Sequence, residues 1–308
     1  MLTSATMKKI IAIAALSGLL VVSCGDDKKT DTTSAPTTAA GPVEFDLASV
    51  TADDAAKACA EGKTLAAGKL TLATGDPAFP PYVLDDKPES GQGFESAIAL
   101  AVAKSMGFEG AAISWVRTSF DTAAAGSDSN FDFNLQQFSI NEDRLKVVSF
   151  SEPYYTSAQS VLGYTDGPAA GVTKLSDLKQ LKLGGAAGTT SLQFITDVIK
   201  PDTAPFAFNS NADAKTALDN KQIDAIITDL PTGLYISAVE IEGTKVFGQF
   251  AIDAGGAGDQ WGLLFVKDNP LAECANLALK ALTASGALAA ITQQWMGDYN
   301  GAPTLGKD

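Results

Sequence analysis

The chain has 308 residues, is 45% hydrophobic and carries a formal net charge of −14. That length leaves room for about two domains with sizeable cores, and the acidity argues against nucleic acid and against electrostatic docking on anionic lipid. The absence of histidine removes Ser-His-Asp and Cys-His nucleophiles and His-bearing zinc sites, and three cysteines cannot form a four-cysteine metal cluster, so no metal or cofactor is expected.

Lys8-Lys9 precede an apolar run over residues 10–22, the basic and apolar regions of a signal peptide, with Met1 and Met7 both possible starts. The run falls short of the ~20 residues a transmembrane helix needs. It ends Val21-Val22-Ser23-Cys24, which resembles a bacterial lipobox. That resemblance implies a signal peptide over 1–23, lipidation of Cys24 and anchoring on the outer face of the cytoplasmic membrane. Residues 24–43 are Thr-, Ala- and Pro-rich without apolar periodicity and read as a flexible tether. Residues 44–65 form an N-terminal extension with a helix-like segment over 53–61. Export implies an oxidising compartment, where Cys59 and Cys274 are expected to pair and staple this extension to the C-terminal part of the chain; the alternative is two buried free thiols.

Residues 69–74 alternate as a strand and run into a loop, 75–82, stopped by Pro80-Pro81. Phe94, Ala97, Ile98, Ala101, Val102 and Ser105 follow helical spacing, with Gly107 placed as a C-cap. Residues 113–116 and 131–135 read as further strands. A second set of elements begins near Val161, with strands over 161–164, 181–184, 223–228 and 261–266. Helices are expected over 175–178, 192–199, 213–220, 271–283 and 286–296. The β-α-β alternation implies mostly parallel sheets covered by helices.

The stretch from Gln137 to Tyr155 is Gln-Phe-Ser-Ile-Asn-Glu-Asp-Arg-Leu-Lys-Val-Val-Ser-Phe-Ser-Glu-Pro-Tyr-Tyr. It sets a hydroxyl, Ser139, and a guanidinium, Arg144, at the mouth of a strand. Arginine is the side chain best shaped to hold a planar carboxylate with two parallel hydrogen bonds. The run closely resembles the [ST]-I-[TN]-x-x-R…F-S-x-P-Y-Y signature of the amino-acid-binding solute-binding proteins of ABC importers (extracellular family 3, type II periplasmic-binding fold). The pattern extends over about residues 66–300. It implies a two-lobed α/β fold crossed twice by the chain: lobe 1 over 66–154 and 257–308, lobe 2 over 160–252, and hinges at 155–159 and 253–256, the second containing Ala254-Gly255-Gly256.

A free amino acid has two opposite charges, and burying both requires a cation, an anion and oriented dipoles. By the resemblance, Arg144 clamps the carboxylate, helped by a backbone N–H of Thr190 in the loop Gly188-Thr189-Thr190. Asp229 receives the ammonium together with the Ser139 hydroxyl and the Gln137 carbonyl. Phe79 and Phe120 wall the side chain. Asp76 occupies a position that in some relatives accepts from a donor-bearing side chain such as Gln, Asn, Arg, Lys or His. One departure stands out: Gln136-Gln137 replace the small residues, often Ser-Gly or Ala-Gly, that commonly precede the motif. The implied function is a monomeric, lipid-anchored receptor that delivers a polar L-amino acid to a permease and its ATPase, without enzymatic activity. The alternatives are a cyclohexadienyl-type dehydratase on the same fold and the ligand-sensing subunit of a signalling system.

Overall fold

Leu70–Gly75 forms β1, an inner strand buried along almost its whole length because apolar side chains cover both faces, Leu70 and Leu72 in one cluster and Ala73 in another. The computed structural model describes residues 45–251, 258–299 and 301–306, all within one unit, Gly41–Asp308. Cys24 and the expected second hinge, 253–256, lie outside the described residues. After β1 come β2 (Ile113–Thr118), β3 (Phe133–Asn134) and β4 (Val148–Phe150). The chain then passes through β5 (Tyr155–Ser157) into β6 (Gln159–Tyr164), β7 (Leu183–Ala186), β8 (Phe206–Phe208), β9 (Ala225–Asp229) and β10 (Thr244–Gln249). It returns through β11 (Asp259–Trp261) to β12 (Leu264–Val266).

Two five-stranded sheets result, ordered β2-β1-β3-β12-β4 and β10-β6-β9-β7-β8. In each, four strands run one way and a single strand, β12 or β6, runs against them. The reversed strands are those entered straight from the two passages between sheets. The passages pair with each other: β5 and β11 form an antiparallel ribbon with Tyr155 opposite Trp261 and Ser157 opposite Asp259. Residues 155–157 and 159 are therefore strand, and residues 261–266 belong to two strands rather than one.

The helices cover these sheets. α1 (Asp54–Ala60) is capped by Asp53, whose carboxylate accepts from the Ala56 N–H at 2.8 Å. α2 (Phe94–Ser105) starts at Gly93, where φ is +107 and a Cβ would come within 2.4 Å of the Tyr82 carbonyl oxygen. Its alanines let neighbouring helices close in, and it is buried on nearly every face. Four short or mid-length helices follow: α3 (Phe120–Ala124), α4 (Glu142–Leu145), α5 (Thr190–Phe194, continuing as a π-turn over Ile195–Ile199) and α6 (Asn211–Asp219). α7 (Leu230–Tyr235) carries Pro231 in its first turn. α8 (Leu271–Ala284) and α9 (Ala287–Met296) complete the first lobe. The Cys59–Cys274 disulfide joins α1 to α8 across 215 residues of sequence.

The C-terminal residues depart from the expected extent of lobe 1. Instead of staying with the first sheet to residue 308, residues 301–306 lie along the second. The Gln249 N–H donates to the Pro303 carbonyl at 2.8 Å and the Leu305 N–H to the Gln249 carbonyl at 2.8 Å. Gly306 bridges to Lys174. Leu305 sits in the second lobe's core, and a Cβ on Gly248 would fall 2.5 Å from its side chain. The tail covers the edge strand β10, whose backbone would otherwise be open to pairing. No helical or strand periodicity marks so short a segment, so its partner is visible only in the folded chain. Leu305→Ala is expected to destabilise the protein by about 2–4 kcal/mol, read as a lower urea midpoint at unchanged slope. A change within error would mean the tail does not belong to this core.

Candidate functional site

A cavity of about 640 Å³ opens between the two sheets, and the C-terminal ends of β1, β2, β7 and β9 all reach it, through Thr74, Thr118, Ala186 and Asp229. Strand ends are where open α/β sheets gather binding groups. Asp76, Phe79, Phe120, Gln137, Ser139, Arg144, Thr190 and Asp229, all marked from the sequence, line this one cavity.

The loop after β1 that carries Asp76 and Phe79 is clasped by Arg117. Its guanidinium donates to the Gly75 carbonyl at 2.8 Å and to the Asp86 carboxylate at 2.5 Å, and Asp86 in turn accepts from the Ala78 N–H at 2.9 Å. Phe79 packs edge-on against Tyr82, 5.4 Å between ring centres. Across the cavity mouth, Phe120 stacks on Phe138 at 4.9 Å and lies 5.2 Å beneath the Arg144 guanidinium.

Arg144 is buried and sits in α4, whose start is capped by Asn141 accepting from the Arg144 N–H at 2.9 Å. Its Nη1 donates to the Ser139 carbonyl at 2.7 Å and its Nη2 to the Gly188 carbonyl at 3.0 Å, so one guanidinium links both lobes. The Ser139 and Thr190 hydroxyls meet across the same gap at 3.2 Å. On the far side Tyr82 and Thr232 form a second inter-lobe hydroxyl pair at 2.8 Å. Burial pulls the Arg144 pKa down, and Asp259 and Asp229 pull it back up. Asp229 lies deep in the molecule yet opens onto the cavity. Burial and then Asp259 push its carboxyl well above the usual range, against the pull of Arg144. The site thus pairs one buried cation with an acidic group that favours a positive neighbour.

Gln136 and Gln137 diverge. Gln136 donates through Nε2 to Thr118 Oγ1 at 2.7 Å and to Asn134 Oδ1 at 3.2 Å. Gln137 adopts φ +52, a left-handed conformation that fits the glycine commonly expected here. Its backbone N–H donates to Glu95 Oε1 at 2.7 Å and its Nε2 to Glu95 Oε2 at 2.5 Å.

A model of the bacterial extracellular solute-binding proteins, family 3, matches residues 70–298. The chain belongs to this family. Among curated relatives, it is 27% identical to the arginine-binding periplasmic protein of Mannheimia haemolytica over 224 residues, 72% of this chain and 89% of that protein. It is 30% identical to the ABC transporter glutamine-binding protein GlnH of Bacillus subtilis over 213 residues, 68% of this chain and 75% of that protein. Among solved structures, an ancestral arginine-binding protein bound to arginine superposes with a TM-score of 0.62 at 28% identity, covering 75% of this chain and 99% of that one. The ancestral amino-acid-binding protein AncCDT-1, described as a precursor of cyclohexadienyl dehydratase, superposes with a TM-score of 0.62 at 27% identity over 74% of this chain and 95% of that one.

Several cavity groups of this family member escaped the sequence reading. Glu95, in the first turn of α2, carries no linear signal, and only the fold brings Gln137 and Tyr154 onto it. Tyr82, Thr232, Tyr235 and the Lys215–Glu240 ion pair, 3.1 Å apart, also line the cavity and carry no linear signal. Asp259 reaches the site through Gln159, which donates to it.

Glu95 is buried and accepts from Tyr154 Oη and from both Gln137 donors. Burial pushes its carboxyl up to about 7, with the Tyr154 and Gln137 hydrogen bonds pulling the other way. The folded chain therefore holds this proton more tightly than the unfolded one, whose value lies near 4.5. Its stabilising contribution is complete below about pH 4.5 and is lost as pH rises through about 7. Glu95→Gln is expected to flatten that limb, by at most about 1.4 kcal/mol per pH unit. Urea midpoints between pH 4 and 8 check this, and an unaltered pH slope would refute it.

Proposed function

We propose that the protein is the receptor of an ABC amino-acid importer and closes its two lobes on a free polar L-amino acid. The observation that carries this reading is the convergence of Arg144, Ser139, Thr190 and Asp229 on a single inter-lobe cavity. In this reading the Arg144 guanidinium and the Thr190 backbone N–H take the carboxylate. Asp229, the Ser139 hydroxyl and the Gln137 carbonyl take the ammonium. Phe79 and Phe120 flank the side chain, and Asp76 receives donors at its far end. The contributing residues come from both lobes, so a ligand favours the closed state by contacts the open state lacks. Relatives named for arginine and glutamine support a donor-bearing side chain.

The first hinge is assigned to 155–159, with lobe 1 over 66–154 and from 258 to the end of α9; the expected second hinge lies outside the described residues. Lobe 2 spans 160–252 and takes in the tail. Lipidation at Cys24 holds a monomer on the outer face of the cytoplasmic membrane, beside its permease and ATPase. A dehydratase needs a carboxyl placed for proton transfer. Glu95 has a raised pKa, but three donors converge on it, which supports a holding role over an acid in turnover.

Calorimetric titration of the ligand-stripped chain from residue 25 onward against all twenty L-amino acids tests the proposal. A dissociation constant near micromolar, about −8 kcal/mol, is expected for one or a few. Arg144→Ala is expected to weaken that binding by about 2–5 kcal/mol while the apo-protein keeps a cooperative unfolding transition. Undiminished binding by this variant would reject the site assignment.

A further inference from the structure

We propose that Gln136 selects the ligand's side chain, holding its amide oxygen toward the cavity as a fixed acceptor for side chains that end in N–H donors. This rests on the amino-acid-binding reading above and names a residue that sets its specificity.

The amide has no freedom to present its nitrogen instead. Both Nε2 hydrogens are spent, on Thr118 Oγ1 at 2.7 Å and on Asn134 Oδ1 at 3.2 Å. Asn134 is itself tied down, donating through Nδ2 to Thr118 Oγ1 at 2.8 Å. Asn134 is fully buried on β3, and Thr118 is buried at the end of β2. Flipping the Gln136 amide would face oxygen to oxygen at Asn134 and leave a buried acceptor unpaired, which is costly. The remaining atom, Oε1, accepts no hydrogen bond among the described residues, and Gln136 lines the cavity. A Cβ built on Gly75 would lie 3.1 Å from that oxygen, so it sits beside the loop that carries Asp76.

The chemistry of discrimination follows. A guanidinium, ammonium or primary amide can donate to Gln136 Oε1, with the Asp76 carboxylate on the same wall. A carboxylate side chain meets oxygen against oxygen and a like charge. An aliphatic end desolvates the acceptor without pairing it, and a site built to hydrogen-bond rejects such ligands strongly. Gln137 takes no part in this, because its side chain is turned onto Glu95.

The test is calorimetric titration of the mature chain with L-arginine, L-glutamine, L-norleucine and L-glutamate, followed by the same series on Gln136→Met and Asn134→Leu. The wild type is expected to bind arginine or glutamine at least tenfold more tightly than norleucine or glutamate. Gln136→Met, similar in length but without the acceptor, is expected to lose about tenfold to a hundredfold on the donor-ended ligand while norleucine binds as well or better. Asn134→Leu frees the amide and is expected to narrow the gap between glutamine and glutamate. Amino-acid binding without the wild-type preference overturns the inference and leaves the receptor reading intact. So does a Gln136→Met variant with unchanged selectivity. If Gln136→Met does not fold, the wild-type preference and the Asn134→Leu ratio still decide. No binding of any amino acid by the folded wild type overturns both.

Discussion

The Arg144 guanidinium is the interaction on which the two-lobed arrangement turns. It is a buried cation that reaches a carbonyl on each lobe, Ser139 and Gly188, while facing the acids Asp229 and Asp259. An isolated charge in such a place is strongly disfavoured, and its partners must come from both sides of the cleft. Local geometry therefore serves this one side chain. Asn141 caps the turn that presents it, Phe120 underlies it, and the Gly188–Thr190 loop meets it from the second lobe.

The passages between sheets explain how two separate cores can share that centre. β5 and β11 run side by side, so the chain leaves and re-enters the first lobe at one place. Trp261, fully buried, packs on Tyr155 at 4.9 Å and edge-on to Tyr82 at 5.7 Å, which joins the ribbon to the cavity wall. The tail adds a further strand of chain running from α9 to the edge of β10. Aromatic packing at the ribbon and two hydroxyl pairs, Tyr82–Thr232 and Ser139–Thr190, join the lobes around the cavity.

The paired glutamines show how adjacent residues acquire unrelated work. Gln137, at positive φ, turns its side chain to Glu95 and stabilises a backbone conformation that costs a non-glycine residue energy. Gln136, one residue earlier, points to the opposite side and meets Asn134 and Thr118. Glu95 in turn joins the start of α2 to Tyr154 at the edge of the first passage. A buried carboxyl thus braces Gln137, at the start of the segment that carries Ser139 and Arg144.

Much of the fold was legible in the chain itself. Apolar spacing set α2 and alternation set β1, because these signals are local and repeat at 3.6 or 2 residues, while the Ser139–Arg144 run with Pro-Tyr-Tyr marked the first passage through its resemblance to family 3. Short elements were not legible: β8, α3 and α7 hold too few periodic residues to stand out. The sequence by itself marked Arg144, Ser139, Thr190 and Asp229 through its resemblance to family 3, and the fold brings them to one cavity. Only the tertiary structure decided that the tail joins the second lobe, and that Gln137 turns its side chain onto Glu95 while Gln136 turns onto Asn134 and Thr118. Those outcomes depend on contacts between residues far apart in the chain and on the sign of one backbone angle, and neither leaves a periodic trace in sequence.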